Sequence, residues 1–423
     1  FLNASARITT TGGAAPITLI ATGGDNDNSA GLVINGAAST ISTVTGPISI
    51  TATANAARVG GAGVSTRGGT ITSTDGGTIT ITADGNGTTE AFELDDQIIG
   101  SAAAGLLAGT GTITLTGDQL TITQTSGTSA ISGAGALIIQ PQTAGTTIEI
   151  GDETGAGILN LSDSELGFLT DGFSSITIGK ADAGNVEINT AIFNDPVTIL
   201  TGGIIRDELG SPDLTLPAGV TATQSGTVAP GQLVAGPTEH PGILNVTTGN
   251  SAFADNSTFE VQIGGTTPGV GNGFHDQLDA DGSVTIGSNV MLTLSAFLNT
   301  GGTINFVPSL GDTFEIISRT GGGGTFAGLA EGALISTNFL GSGQRAGITY
   351  TGGDGDDVVI RMLPPDVNVD AGGNLVVNNE AGDINTFIIT LINGGATIQI
   401  QDTTSLIFAG MGATQCRSGN GNV

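Results

Sequence analysis

The chain has little of what most binding and catalytic chemistry requires. Its 423 residues include no tryptophan, one tyrosine (Tyr350), one cysteine (Cys416), one lysine (Lys180) and two histidines, His240 and His275. Lys and Arg number 9 against 38 Asp and Glu, a formal net charge of −29. So few cations cannot neutralise a phosphate backbone, which argues against nucleic-acid partners. The same sign disfavours docking on anionic lipid headgroups. A lone cysteine permits no disulfide within the chain, leaving a free thiol or a bridge to another molecule. No uncharged apolar run reaches the roughly 18 residues of a membrane-spanning helix, so membrane insertion is not expected. Two histidines in Gly/Pro-rich surroundings do not suggest zinc. The nucleotide-binding and nucleophile-elbow signatures are missing as well.

Charged residues make up only 11% of the chain, against about a quarter in ordinary soluble proteins, so Thr, Ser, Asn and Gly must cover most of the surface. The organising feature is a phrase that returns at a 31-residue interval: Ile17-Thr-Leu-Ile-Ala-Thr22, Ile48-Ser-Ile-Thr-Ala-Thr53 and Ile79-Thr-Ile-Thr-Ala83. A fixed period in this range marks a solenoid, whose repeats bury their apolar faces only by stacking. Within each period the apolar residues fall in short alternating runs separated by Gly, Asn, Asp and Ser, the pattern of strands. Three short strands per period with the next copy above describe a parallel β-helix, with Ile, Leu and Val inward and Thr and Ser outward. Beyond Ala83 the phrase returns at Ile113 and again at Ile148, a drift that inserted loops would explain, and Ala91–Gly100 is expected to be such an insertion, with its acidic pair at the surface.

Residues 7–11 already read as a strand, which leaves no room for a cap over the first rung. Material before Phe1, or another subunit, is the expected cover. Further along, Leu159-Asn-Leu-Ser-Asp-Ser-Glu-Leu166 is followed by Ser175-Ile-Thr-Ile-Gly179. This stretch resembles bacterial filamentous-haemagglutinin-like surface proteins, where Leu-Ser-x-x-Glu-Leu segments recur on the rungs of a right-handed β-helix. In this chain Ser162 and Glu165 have the spacing of a capping box around one helical turn, the alternative being an ordinary loop. Between 226 and 363, phrases such as Gly226-Thr-Val-Ala-Pro-Gly231, Ser257-Thr-Phe-Glu-Val261, Gly311-Asp-Thr-Phe-Glu-Ile-Ile317 and Gly324-Thr-Phe-Ala-Gly-Leu329 are similar to the terminal rungs of autotransporter passenger domains. That resemblance implies β-helix and a secreted or cell-surface location. Leu363-Pro-Pro-Asp366 then breaks the pattern, because proline donates nothing to a ladder. A β-rich unit with strands near 374–377, 386–391 and 396–400 follows. It resembles the short repeats that trail autotransporter-like regions in large bacterial surface proteins.

The strongest chemical motif is Gly352-Gly-Asp-Gly-Asp-Asp-Val-Val-Ile360, which fits the nonapeptide of calcium-binding β-rolls. Asp354, Asp356 and Asp357 are therefore the candidate calcium ligands, oxygen donors on a turn that glycine permits. The motif occurs once where a β-roll site needs two adjacent copies, so a solvated acidic turn is the competing reading. Asp25-Asn-Asp-Asn28 and Asp279-Ala-Asp-Gly282 are similar turns without a full ligand set. A polysaccharide-active β-helix enzyme would need convergent carboxylates with cations and aromatic platforms beside them, and no spacing here singles out such a pair. Thr-x-Thr phrases such as Thr80-Ile-Thr82, Thr112-Ile-Thr114 and Thr121-Ile-Thr123 invite the idea of an ice-binding face. They are expected on different strands, simply filling exposed positions. Three Asn-x-Ser/Thr triplets are read as chance matches.

The sequence thus predicts an all-β protein, a right-handed parallel β-helix (solenoid) followed by a small β-rich unit. Its expected divisions are 1–225, filamentous-haemagglutinin-like, 226–363, autotransporter-passenger-like, and an incomplete repeat unit at 364–423. The expected function is structural or adhesive, as a rod segment of an extracellular or cell-surface fibre, sheath or adhesin. No catalytic residues or organic cofactor are expected, and calcium is the one candidate ion. Expected partners are copies of the chain itself, head-to-tail or laterally, or surface glycans or proteins. The rivals are a calcium-dependent extracellular binding module and a polysaccharide-active enzyme.

Overall fold

Alternation decides which side of each strand faces inward. Along Ile48–Thr53, Ile48, Ile50 and Ala52 are buried while Ser49, Thr51 and Thr53 are not. Ile79–Asp84 repeats that pattern. In the computed structural model these strands pair in parallel, residue for residue, Ile17 to Ile48 and Ile48 to Ile79. The structure describes residues 1–364 other than 4, 11, 13, 25–29, 56–60, 87–89, 96–97, 101–109, 124–129, 152–158, 208–212, 235–237 and 299–305, and beyond them only the strands Val367–Val369, Leu375–Val377, Phe387–Ile392 and Thr397–Asp402. The calcium-like turn expected at Asp25–Asn28 and Cys416 lie outside the described residues.

The protein is all-β, built on long parallel sheets. A first sheet continues from Ile79 through Ile113, Leu137, Ile176, Val197, Ala222, Ser251 and Val284 to Gly322, eleven strands in one unbroken parallel series. A second sheet stacks Leu32–Asn35, Val64–Arg67, Phe92–Asp95 and Leu120–Thr123. A third stacks Arg7–Thr9, Thr40–Thr43, Thr70–Ser73, Ile98–Gly100 and Ala130–Ser132. Three strands, one per sheet, make each early repeat. Like residues therefore lie on like: Ile48, Ile79, Ile113 and Leu137 are at most 3% exposed. Each such side chain contributes about 1.5–3 kcal/mol of burial.

Glycine marks the corner leading into the first sheet. A Cβ on Gly77 would lie 2.3 Å from the Gly46 carbonyl oxygen, on Gly111 2.2 Å from that of Gly77, and on Gly135 2.4 Å from that of Gly111. The backbones of successive repeats approach too closely there for any side chain.

Two expectations about the drifting period are corrected. Ala91–Gly100 is no insertion: Phe92–Asp95 and Ile98–Gly100 are regular strands of the second and third sheets. Ile148 is not the successor of Ile113, which pairs with Leu137 instead. Ile148–Gly151 belongs to another stack, pairing with both Leu159–Ser162 and Val186–Ile188. Repeats vary from 21 residues (Ile176 to Val197) to 39 (Leu137 to Ile176).

Two long strands join these stacks. Val197–Asp207 pairs with Ser175–Gly179 along its first half and with Val186–Ile188 along its second. Thr221–Val234 likewise meets Asn250–Phe253 and then Thr258–Ile263, running without a break across the division expected at 225/226.

The end of the stack differs from the uniform rungs expected to 363. Thr313–Ser318 pairs antiparallel with Asp357–Leu363, which pairs antiparallel with Arg345–Gly352. This hairpin covers the last parallel strand of its sheet. Tyr350, the lone tyrosine, pins it: its hydroxyl donates to the Leu329 carbonyl at 2.8 Å and accepts the Phe326 N–H at 2.9 Å. Beyond Pro364, two antiparallel pairs form at 367–377 and 387–402.

Candidate functional site

The acidic turn sits at the tip of that hairpin, between Arg345–Gly352 and Asp357–Leu363. Gly353 (φ +53) and Gly355 (φ +128) adopt backbone conformations that L side chains rarely take, which is why the turn is written with glycine. It brings all three candidates together, their carboxylate oxygens lying within 4.8 Å of one another. They are not equivalent. Asp354 is exposed and Asp356 partly so, but Asp357 is buried. The Asp357 carboxylate accepts the Arg319 N–H through Oδ1 at 2.9 Å and the Asp354 N–H through Oδ2 at 3.2 Å. Arg319, itself buried, donates Nε–H to the Asp356 carbonyl at 2.6 Å and an Nη1 proton to the Val284 carbonyl at 2.8 Å. Asp357 is thus the internal strut of the turn. Its flanking strands are antiparallel, which corrects the β-roll reading, since a β-roll stacks parallel turns.

Charge crowding shows in the local acidities. The Asp356 carboxyl is pushed up, first by its hydrogen bond with Asp354 and then by desolvation and the neighbouring negative charges. Glu315 is pushed up by burial and next by the charge of Asp357. Asp354, exposed, and Asp356, partly exposed, retain oxygens for a hard cation such as calcium. Asp279-Ala-Asp-Gly282 has another job: Asp281 accepts the Thr248 N–H at 3.0 Å across repeats, while Asp279 lies in the strand Gln277–Ala280.

A second constellation was not apparent from the sequence. Asp207 ends the long strand Val197–Asp207, and Asp213 immediately precedes Leu214–Thr215; they are 1% and 0% exposed. Because Leu214 pairs with Val246, Asp213 lies beside Asn245, and its Oδ2 accepts the Asn245 backbone N–H at 2.6 Å and side-chain N–H at 3.2 Å. The Asp207 carboxyl is its neighbour. Burial pushes Asp213 up to about 6, against the opposing effect of the bonds from Asn245 and Asp207. A carboxyl pair sealed this completely offers no surface to a substrate.

His275, expected in a loop, is instead a buried strand residue whose ring nitrogens face the carbonyls of Gly265 and Glu315, each at 3.1 Å. Burial pushes its imidazole down, and the two carbonyls partly oppose this. Ser162 and Glu165 do form the capping box of the single helical turn Asp163–Leu166. The Thr-x-Thr phrases also differ from expectation. Thr80 and Thr82 stack in register on Thr114 and Thr116 within the first sheet, and Ser49 and Thr51 hold the corresponding places in the preceding strand. Thr121-Ile-Thr123, by contrast, lies on the second sheet.

No protein-family model, curated protein or solved structure matches this chain. The functional reading therefore rests on its own geometry.

Proposed function

We propose that the chain is a right-handed parallel β-helix serving as a rod segment of a secreted or cell-surface structural or adhesive protein, of the filamentous-haemagglutinin-like and autotransporter-passenger-like kind that its sequence resembles. The observation that carries this reading is the residue-for-residue parallel register of eleven successive strands from Ile17 to Gly322. At ~4.8 Å per strand, that stack spans about 50 Å along its axis. Chain invested in this way supplies length and side surface. The conspicuous buried carboxyls, Asp207 and Asp213, are closed off from any sugar, which favours a structural role over a polysaccharide-active one. Small-angle scattering and electron microscopy test the reading: an elongated particle supports it, and a compact isotropic one overturns it.

The proximity of the Asp354, Asp356 and Asp357 carboxylates favours a second reading, a calcium-dependent extracellular module. Calcium would then raise the melting temperature of the wild-type chain but not of an Asp354→Asn/Asp356→Asn variant. An unchanged wild-type melt removes this reading.

A further inference from the structure

The register that stacks the first sheet also sorts charge. One outward column runs through Thr80, Thr114, Thr177, Thr198, Thr223 and Thr285, and it begins at Thr18 and Ser49. Only Ile138, Ala252 and Gly323 interrupt the hydroxyls, and all three are neutral. The adjacent outward column carries Ile20, Thr51, Thr82, Thr116 and Gln140. Neither column contains Asp, Glu, Lys or Arg, in a chain with 38 acidic residues. On the first sheet an acidic side chain stands at Asp84, two residues beyond Thr82 at the end of its strand, and further strand carboxylates lie off the two columns. Glu93 and Asp95 occupy partly exposed positions of the second sheet, Glu187 and Glu260 those of strands joined to the first sheet through Val197–Asp207 and Thr221–Val234, and Asp279 and Glu315 those of the sheet that ends in the hairpin.

We infer that this neutral threonine face is where a second copy of the chain lies alongside, face to face. The inference rests on the rod reading and names the partner of its side surface. Two molecules of charge −29 repel wherever acidic faces meet, over a Debye length of about 10 Å at 0.1 M salt. The threonine columns let them approach with Asp84 at the margin of the contact, away from the carboxylates of Glu93, Asp95, Glu187 and Glu260. Face-to-face sheets pack about 10 Å apart, with strand directions nearly aligned. Threonine methyls then bury apolar area while the hydroxyls pair with one another. Ile20, 82% exposed at the start of the second column, gains cover in the same contact. Eleven positions in the first column and five in the second, each about 4.8 Å by 7 Å, give roughly 540 Å² per copy, about two thirds of the roughly 800 Å² per partner of a standard interface.

Sedimentation velocity on the full chain, across concentration and salt, tests the proposal. Association should strengthen with both, because salt screens the repulsion between acidic faces. Thr82→Glu with Thr198→Glu should shift the association midpoint at least tenfold towards higher concentration. Thr121→Glu, on the second sheet, should leave it in place. Wild-type chain that stays monomeric at every concentration and salt overturns the proposal, as does association that salt weakens or that Thr121→Glu weakens equally. The wild-type salt series decides the matter even if the double variant melts early. Scattering on the same samples separates the two readings: an elongated monomer that never associates refutes the face-to-face contact and leaves the rod intact, whereas a compact monomer refutes the rod.

Discussion

Glu165 reaches across to Ile122, accepting its backbone N–H through Oε1 at 2.8 Å. That donor belongs to Leu120–Thr123, the last strand of the second sheet, so a side chain takes over where the ladder stops. The other oxygen, Oε2, accepts the Ser162 N–H and hydroxyl, each at 3.0 Å. One carboxylate thereby closes both a helix start and a sheet edge.

Replacing Glu165 with Ala should destabilise the protein by about 2–4 kcal/mol, since it leaves buried backbone donors without acceptors. Ser162→Ala removes only the cap and should cost about 1 kcal/mol. Chemical denaturation of both variants checks the ranking; equal losses would mean that the bond to Ile122 contributes nothing.

Asp213 should give the fold an unusual pH dependence. Its folded-state pKa of about 6 lies above the unfolded value near 3.8, so the folded chain binds the proton more tightly. The stability this contributes is fully present below pH 3.8 and is lost as the pH rises through about 6, on the order of 3 kcal/mol in total. Denaturation curves from about pH 4 to about pH 7 should show this component in the wild type and its disappearance in Asp213→Asn.

The hairpin turn should separate strut from surface. Asp357→Asn replaces an acceptor of two backbone N–H groups by a weaker one and should cost about 1–3 kcal/mol. In calcium-free buffer, Asp354→Asn and Asp356→Asn should stay within about 0.5 kcal/mol of wild type, as surface changes do. Thermal melts in chelator would reveal the contrast, and three equal losses would contradict it.

The glycine corner should be intolerant of a single methyl. Gly77→Ala places Cβ against the Gly46 carbonyl and should cost about 2–3 kcal/mol, whereas Gly323→Ala, with open space around its Cβ, should be nearly silent. Melting temperatures of the two variants measure the difference.

What could be read from the sequence was local or periodic. Ile17, Ile48 and Ile79 announce their pairing because the copies share both phrase and spacing. Leu137 does not, because its repeat has shrunk and its Leu-Ile-Ile carries none of the Ile-Thr-Ile alternation. Ile148, with that alternation, took its place although it belongs to another stack: alternation identifies a strand but not its neighbours. Ser162 and Glu165 were legible because a capping box is complete within four residues. Asp213 was not, since its partners are fixed by the pairing of Leu214 with Val246 and by the end of a strand at Asp207. His275 was hidden for the same reason, its acceptors lying 10 and 40 residues away.

The strands Val197–Asp207 and Thr221–Val234 run from one stack of strands to the next with no intervening turn, so continuous hydrogen-bonded backbone ties the two stacks together at that level. Amide hydrogens along these two strands should be the last to exchange with solvent, and a pulling force transmitted along the axis would meet its stiffest section there.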